Sequence, residues 1–553
     1  MTELLTAAQM KSIEAAAIAS GEVTGLDLME RAGRGVVNAV FAEWPELQAG
    51  TFRAVVLCGP GGNGGDGFVV ARLLQEWGWE VEVFLYGTPE GMPPDARVNY
   101  ERWLAMGAVL PLPSAFEASF QSPDVVVDAL FGIGLKRPVS GLGLTFLDMW
   151  EARQSLRPNN RKGIAYIAID LPSGVCSDSG RTLMSQSFRG ISEGVAAAPA
   201  AAVDLTVTFH SMKLGHVLDE GPRNCGKVRV CDIGLKLIGE PIRLVEPGPF
   251  RLMKRLGHKF SHGHALILSG PPGHGGAARL SARGALRIGA GLVTVACPQG
   301  ALAENAARLD AVMLRVVEDG AALATVLEDA RINALCVGPG LGLDARAAGV
   351  VATVLEVSRS RGKPGTAPTT NAAVPGLTRD VERTNPVSVV LDADALTILS
   401  RHPDLFAALH KNCILTPHGG EFARLFPNIA AKLAAPATTG PAYSKVDATR
   451  EAAARAGCVV LFKGADTVIA DPSGKCSINS AQYDRAAPWL ATAGSGDVLA
   501  GFIAGLLARG FAPMQAAETA AWLHVECARS FGPGLIAEDL PDQLPKVFRA
   551  LGV

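Results

Sequence analysis

The chain has 553 residues, 48% hydrophobic and 19% charged, with 51 basic against 53 acidic side chains and a net charge of −2. That length exceeds what one hydrophobic core serves, so two or more domains are expected, and the apolar content argues against disorder over most of the chain. No basic tract points to nucleic acid and no apolar run is long enough to span a bilayer, which leaves small molecules as the expected partners.

Ten cysteines without a C-x-x-C pair read as reduced, buried thiols. The start lacks a secretory signal, so a cytoplasmic location is expected. Two helices are predicted first, one from Thr6 with Gln9 closing a capping box, the other from Asp27 with Glu30 in the same relation. In the second, Leu28, Met29, Ala32, Val36, Val40 and Phe41 share one face. Short β-rich runs follow at residues 53–57, 80–86, 124–128, 164–170, 204–209 and 227–231, alternating with Ala-rich helical stretches. That alternation is the mark of a parallel α/β layer architecture.

Residues 235–251 lose periodicity and carry three prolines. A boundary placed there divides the chain into a domain of residues 1–240 and another of residues 241–553. A second alternating series runs through residues 265–269, 292–297, 334–337, 387–392, 413–416 and 459–462. It ends in the Gly-rich helix start ATAGSGDVLAGFIAGLLARG. Residues 182–202 and 358–386 read as surface insertions.

Chemistry-bearing residues sit where these strands end. Gly59-Pro-Gly-Gly-Asn-Gly-Gly-Asp-Gly67 lies between the first strand and a helix predicted over 68–77. Its glycines admit close ligand approach and the helix start offers free N–H groups to an anion. With Glu80 and Glu82 downstream it also satisfies a dinucleotide-binding G-x-G-x-x-G, a weak signal alone. Asn63 and Asp66 are foreign to that fingerprint and suit a cation or a polar ring; the bland alternative is a tight βα turn. Gly221 to Lys227 has P-loop spacing, but Val228 stands where Ser or Thr is needed, so it reads as a turn.

Asp128 and Asp170 each close a strand, and ligands of open α/β sheets gather at such ends. Asn63, Asp128, Asp170 and Ser173 can therefore converge on one crevice with Lys136 nearby, although either acid could simply cap a helix. In the second half, Ala493-Gly-Ser-Gly-Asp497 opens a helix and builds an anion hole. This arrangement resembles the ribokinase-like superfamily, whose G-x-G-D supplies a base beside a transferred phosphoryl group. Lys463-Gly-Ala-Asp-Thr467 can hold nucleotide phosphates. Pro417-His-Gly-Gly-Glu-Phe422 and Gly338-Pro-Gly-Leu-Gly342 also follow strands, and His418 is as readily a cap as a ligand. Asp392 and Asp394 can position a magnesium ion or cap the next helix.

Jointly, LMERAG at 28–33, the glycine loop 59–67, DALFGIGL at 128–135, IDLPSG at 169–174 and LTVTFHSMKLG at 205–215 resemble the NAD(P)HX epimerase domain. HGHALILSG, GGAARLSARGALRIGAGLVTV, GPGLG, LDADAL, LTPHGGEFARL, KGADTVIA and ATAGSGDVLAGFIAGLLA resemble the ADP-dependent NAD(P)HX dehydratase domain. The resemblance implies two three-layer α/β domains, Rossmann-like then ribokinase-like, and a homo-oligomer. It implies that Gly62, Asn63, Gly64, Gly65 and Asp66 bind the hydrated dinucleotide, with Gly132, Ile133, Gly134, Leu135, Lys136, Arg137 and Pro138 contacting it. Asn63, Asp128 and Ser173 would hold K+, and Asp170 with Lys136 would move protons. In the second domain it implies Ala277, Gly340, His418 and Asp497 around the substrate, with Lys463, Gly464, Ala465, Asp466, Thr467 and Gly496 around ADP, and Mg2+ as companion ion. Gly62 replaces the Asn usual in the family loop, Asp466 replaces a small residue, and His210 and Ser211 are unusual at their positions.

The implied substrate is a reduced nicotinamide carrying a hydroxyl at C6. An acid/base such as Asp170 can expel and readmit that hydroxyl as water on either face, or the ring can open and reclose; both routes stay open. Phosphorylating the hydroxyl makes it a good leaving group, and Asp497 would take its proton while ADP becomes AMP plus phosphate. Two rivals remain: a small-molecule kinase fused to a dinucleotide-binding module, and a non-catalytic dinucleotide-binding scaffold.

Overall fold

The computed structural model describes residues 3–112, 123–139, 164–183, 203–246, 248–254, 256–361 and 387–553. The chain falls into two compact units, Met1–Ile242 with Ala434–Lys445, and Arg243–Leu433 with Val446–Val553. The return of residues 434–445 to the first unit has no counterpart in the sequence pattern. Most of both expected insertions, residues 184–202 and 362–386, lies outside the described residues.

In the first unit β1 (Glu3–Leu5) leads to the helices Ala7–Ala19 and Gly25–Glu43. Then come β2 (Arg53–Cys58), β3 (Glu80–Leu85), β4 (Val109–Pro111), β5 (Val125–Ala129), β6 (Ala165–Ile169), β7 (Leu205–Phe209), β8 (Met212–Lys213) and β9 (Lys227–Cys231). Seven of these form a sheet in the order β4-β3-β2-β5-β6-β7-β9, every pairing parallel. β1 pairs with β8 instead. Both faces are covered, which is why the strands read as continuous apolar runs. Ala54, Val56 and Cys58 point into a core shared with Val36, Val40 and Phe68. Val55 and Leu57 pack on the other side with Phe84, Val126 and Tyr166. Strand order reverses between β2 and β5, so the loops beyond their carboxyl ends part to leave a crevice.

Two helix starts differ from expectation. The second helix begins at Gly25, not Asp27, because Thr24 is the cap and Asp27, the third helical residue, is its partner in the capping box. The helix after β2 runs Gly62–Glu76 and so starts inside the glycine run. Its glycines pack where no side chain fits: a Cβ on Gly67 would stand 2.6 Å from Ala129 Cβ. Burial there outweighs the low helix propensity of glycine.

The second unit is built on β11 (His264–Leu268), β12 (Leu292–Cys297), β13 (Met313–Val316), β14 (Ile332–Val337), β15 (Ser388–Leu391), β16 (Cys413–Leu415), β17 (Val459–Phe462), β18 (Asp466–Ala470) and β19 (Cys476–Ser480), with β10 (Ile242–Leu244) alongside β19. From β13 to β17 the neighbours run β13-β12-β11-β14-β15-β16-β17, all parallel. β17, β18 and β19 form an antiparallel meander that the sequence reading did not anticipate. Against one face lies the helix Ser495–Ala508, with every residue from Val498 onward buried. A Cβ on its Gly501 would sit 2.1 Å from the Ser281 carbonyl, so this glycine sets how closely the helix approaches Gly275–Arg287. Among the described residues no helix is long and apolar enough to cross a membrane.

Candidate functional site

Each unit carries its own crevice. In the first, the helix Gly62–Glu76 makes its first backbone hydrogen bond from Gly65 to the Gly61 carbonyl. The amides of Gly62, Asn63 and Gly64 therefore have no partner within the helix, and its positive end faces the crevice. Gly59 and Gly64 cannot carry side chains there, since a Cβ would come within 1.9 Å of the Leu130 carbonyl and 1.8 Å of the Gly59 carbonyl respectively. Asn63 has a buried side-chain NH2 with no hydrogen-bond partner. Such an orphaned donor is an opening for a ligand.

Asp170 follows β6 with φ +66°, a left-handed conformation that turns its carboxylate into the crevice. One oxygen accepts from the Ile133 amide at 3.1 Å. The other accepts from Thr208 Oγ1 and Lys213 Nζ, each at 2.8 Å. Lys213 is only 1% exposed and also donates to the Phe209 carbonyl at 3.0 Å. Burial alone would raise the Asp170 pKa; the Lys213 charge and hydrogen bonds more than offset it and hold the carboxyl below its usual range. His216 Nδ1 accepts the Lys213 amide at 2.8 Å, so its proton lies on Nε2 and is given to the Asp170 carbonyl at 2.8 Å. Burial and Lys213 lower that imidazole to about 4, so it is neutral at physiological pH.

Two more acids act on this point. Asp66 is driven well above its ordinary pKa by burial, Glu14 and Asp170, and Glu14 is raised by burial and by Asp170. A carboxyl pushed up beside one held down is the pairing acid–base chemistry needs.

Asp128 closes β5 and is committed to Ser173: it accepts Ser173 Oγ at 2.6 Å and the Ser173 amide at 2.8 Å, with the Leu130 amide at 3.2 Å. Gly132 floors the cleft; a Cβ there would meet Asn63 Oδ1 and Asp170 Oδ2, each at 2.9 Å. Gly132→Ala should therefore slow turnover in this crevice at least tenfold and lower the melting temperature of the unit slightly, since Asn63 or Asp170 must shift; full activity in steady-state assays would show that the cleft takes no part in the reaction.

Lys136 does not reach the position expected for it. It is exposed, as are Gly134 and Arg137, while Leu135 is buried and Pro138 half-buried. The cation on Asp170 is Lys213, carried back beneath β6 by the turn from β7 into β8. The sequence placed Lys213 within LTVTFHSMKLG without a role; the signal was a lysine soon after a strand whose alternate residues are Thr206 and Thr208.

In the second unit, Gly338 and Gly340 follow β14 with φ of +123° and +65°. A Cβ on Gly340 would be 3.5 Å from that of Ala277, which places these two positions side by side. Asp392, after β15, is 2% exposed and accepts Thr416 Oγ1 and Lys463 Nζ, both at 2.8 Å. Lys463 Nζ is 3.7 Å from Glu421 Oε2 and 3.5 Å from where a Cβ on Gly496 would stand. Burial alone would lower the Lys463 pKa, but Asp392 and Glu421 hold it above the usual value. Asp394 opens the helix Asp394–Arg401 and accepts the Gly342 amide at 2.9 Å.

His418 is 56% exposed at the ring and caps the helix Gly419–Leu425, its Nδ1 accepting the Gly420 amide at 3.0 Å. Gly464 and Ala465 are exposed at the turn into β18. Thr467 is buried and folds its hydroxyl back onto the Gly464 carbonyl at 2.7 Å. Asp466 starts β18 opposite Ser480 and is thus part of the strand ladder. Asp497 lies in the first turn of Ser495–Ala508; burial, then the charges of Asp392, Asp394 and Glu421 against the opposing Lys463, raise its carboxyl to about 6. That is near the optimum for a base working close to neutrality. Among the described residues no group of three or more His, Cys, Asp or Glu is arranged to hold a metal ion.

Two family models match the chain. Residues 265–361 and 365–547 match the family NAD(P)H-hydrate dehydratase, and residues 25–215 match the YjeF-related protein N-terminus. The chain is 35% identical over 582 residues to the bifunctional NAD(P)H-hydrate repair enzyme Nnr of Moorella thermoacetica, covering 99% of this chain and 97% of that one. Its N-terminal part is 46% identical over 219 residues to the NAD(P)H-hydrate epimerase of Rhodobacter capsulatus, covering 39% of this chain and 92% of that one. Among solved structures it is similar to the ADP/ATP-dependent NAD(P)H-hydrate dehydratase from Bacillus subtilis co-crystallised with ATP/Mg2+, at 26% identity and TM-score 0.40, covering 56% of this chain and 95% of that one. With matching relatives along almost its whole length, the chain belongs to the family of bifunctional NAD(P)H-hydrate repair enzymes, an epimerase half followed by a dehydratase half.

Proposed function

We propose that the first unit interconverts the R and S forms of hydrated NADH and NADPH, and that the second uses ADP to dehydrate the S form, releasing AMP and phosphate. The observation that carries this reading is the pairing, on one chain, of two crevices that each set a carboxylate, buried at Asp170 and half-buried at Asp497, near an amide-lined helix start.

In the first crevice the Gly62, Asn63 and Gly64 amides face the dinucleotide phosphates, with Gly65 and Asp66 completing that turn. The loop from Gly132 to Pro138 lies along the hydrated ring. Asp170, held below its usual range by its Lys213 partner, accepts and returns the proton of the C6 hydroxyl or of its water. K+ would be held by the oxygens of Asn63, Asp128 and Ser173: the Asp128 carboxylate accepts three hydrogen bonds and retains lone-pair capacity. When bound, such an ion neutralises charge near the ring.

In the second crevice Ala277, Gly340 and His418 border the nicotinamide ring. Lys463, Gly464, Ala465, Asp466, Thr467 and Gly496 border the nucleotide. Asp497 takes the hydroxyl proton as the hydroxyl oxygen attacks the terminal phosphorus of ADP; the amides near Gly496 stabilise the transferring group. Phosphate then leaves C6 and a C5 proton is lost, restoring the reduced ring. Asp392, Glu421 and Asp497 act on Lys463 and Asp394 acts on Asp497, an excess of negative charge that would favour a Mg2+ carried in with the nucleotide phosphates rather than one held by the protein alone. When bound, that ion offsets phosphate charge.

The chain acts as a cytosolic homo-oligomer in this reading, and its ten free thiols suit a reducing compartment. Incubation with hydrated NADH and ADP should restore the reduced-nicotinamide absorbance, with AMP formed in equal amount. Recovery of a stable phosphorylated alcohol would instead favour a kinase.

A further inference from the structure

We propose that residues 435–444, supplied by the later half of the sequence, are a positioning element for the epimerase loop Gly132 to Pro138. The inference rests on the assignment of that loop to substrate binding. Between the helices Pro427–Ala434 and Lys445–Ala456 the chain enters the first unit. There the Gly440 amide donates to the Lys136 carbonyl at 2.9 Å. The fit is backbone against backbone: a Cβ on Gly440 would stand 2.3 Å from the Leu135 carbonyl.

Ala437 and Ala442 are buried in one apolar cluster with Leu135, Cys176 and Leu183. Two further contacts fix the ends of the segment. Arg181 donates to the carbonyls of Ala435, at 2.5 Å, and Tyr443, at 3.4 Å. The Ala442 amide meets Cys176 Sγ at 3.3 Å.

From this anchor the chain of contacts runs directly to the reacting carboxylate. Lys136 and Leu135 are gripped by the segment, the Leu135 amide bonds the Gly132 carbonyl at 3.3 Å, and the Ile133 amide bonds Asp170. An exposed loop rich in glycine would otherwise sample many conformations, and each would have to be suppressed when substrate binds. Holding it from outside moves that cost to folding. The grip uses backbone groups and small side chains, and so constrains the path of the loop without entering the cleft.

The test uses the full chain carrying Gly440→Val, with Arg181→Ala as a second variant should the first fail to fold. Hydrogen exchange at residues 133–136 should speed up at least tenfold. The KM for R/S interconversion should rise roughly 5–20-fold with kcat within about threefold, while dehydration of S-NADHX keeps its kcat and KM. Faster exchange with unchanged epimerisation KM would overturn the proposal, and so would unchanged exchange. A parent enzyme that does not interconvert the isomers would refute the assigned activity instead, and exchange would still report whether the segment holds the loop.

Discussion

An Asp497→Asn enzyme is expected to lose dehydration by roughly 10²–10⁴-fold while its epimerisation is untouched. The carboxylate is the only group in its turn able to take a proton from the attacking hydroxyl, and an amide keeps the shape but not the basicity. The pH profile gives the sharper check. With its carboxyl raised to about 6, Asp497 is ionised above that pH and protonated below it, so kcat/KM should fall about tenfold per unit on the acid side. The Asn variant should lack this limb. A pKa raised on folding also means that the charged form is disfavoured in the native state near neutrality. The variant should therefore melt at the same temperature as the parent or higher, a common exchange of stability for activity. A variant that melts lower and keeps its acid limb would remove Asp497 from the mechanism.

Lys213→Met should cost both activity and stability in the first unit. Removing one partner of a buried ion pair leaves the other charge without compensation, at roughly 3–5 kcal/mol. For a unit of this size that lowers its melting transition by roughly 10 °C. Asp170 would then be governed by burial, regain its proton, and cease to act as a base; epimerisation should drop at least about 100-fold. The double variant Lys213→Met, Asp170→Asn should recover much of the stability and none of the activity. The sign of the pH dependence is fixed by the same pair. Because the Asp170 pKa is depressed on folding, its stabilising contribution is present above the unfolded carboxyl value and is lost as pH falls through the folded value. Calorimetry from about pH 5 down to about pH 2 should show this loss in the parent and not in the double variant. If the single substitution leaves melting unchanged, the buried pair described for Asp170 is wrong.

Much of this arrangement was legible in the sequence. Parallel strands buried on both faces announce themselves as apolar runs, and Asp128, Asp170 and Asp392 stand out because an acid interrupts such a run at its end. Lys213 was harder to place. Forty-three positions separate it from Asp170 along the chain, and nothing local distinguishes it from Lys136, which sits closer to the glycine loop but on an exposed bend. Only the parallel crossover that seats β7 beside β6 brings Lys213 beneath the carboxylate.

The second helix offered two overlapping capping patterns, Thr24 with Asp27 and Asp27 with Glu30, and the earlier one forms because both halves of its box close. Glycines argued against a helix at Gly62, and contacts with Ala96 and Ala129 decided otherwise. The meander of β18 and β19 breaks the alternation of strand and helix, since both strands follow β17 with no helix between them and pair antiparallel.

The passage of residues 434–445 into the first unit bears on how the protein is made. A ribosome releases residue 242 about 190 residues before residue 434. At ordinary elongation rates that is a delay of roughly ten to forty seconds. During this interval the apolar cluster of Leu135, Cys176 and Leu183 lacks Ala437 and Ala442 to cover it.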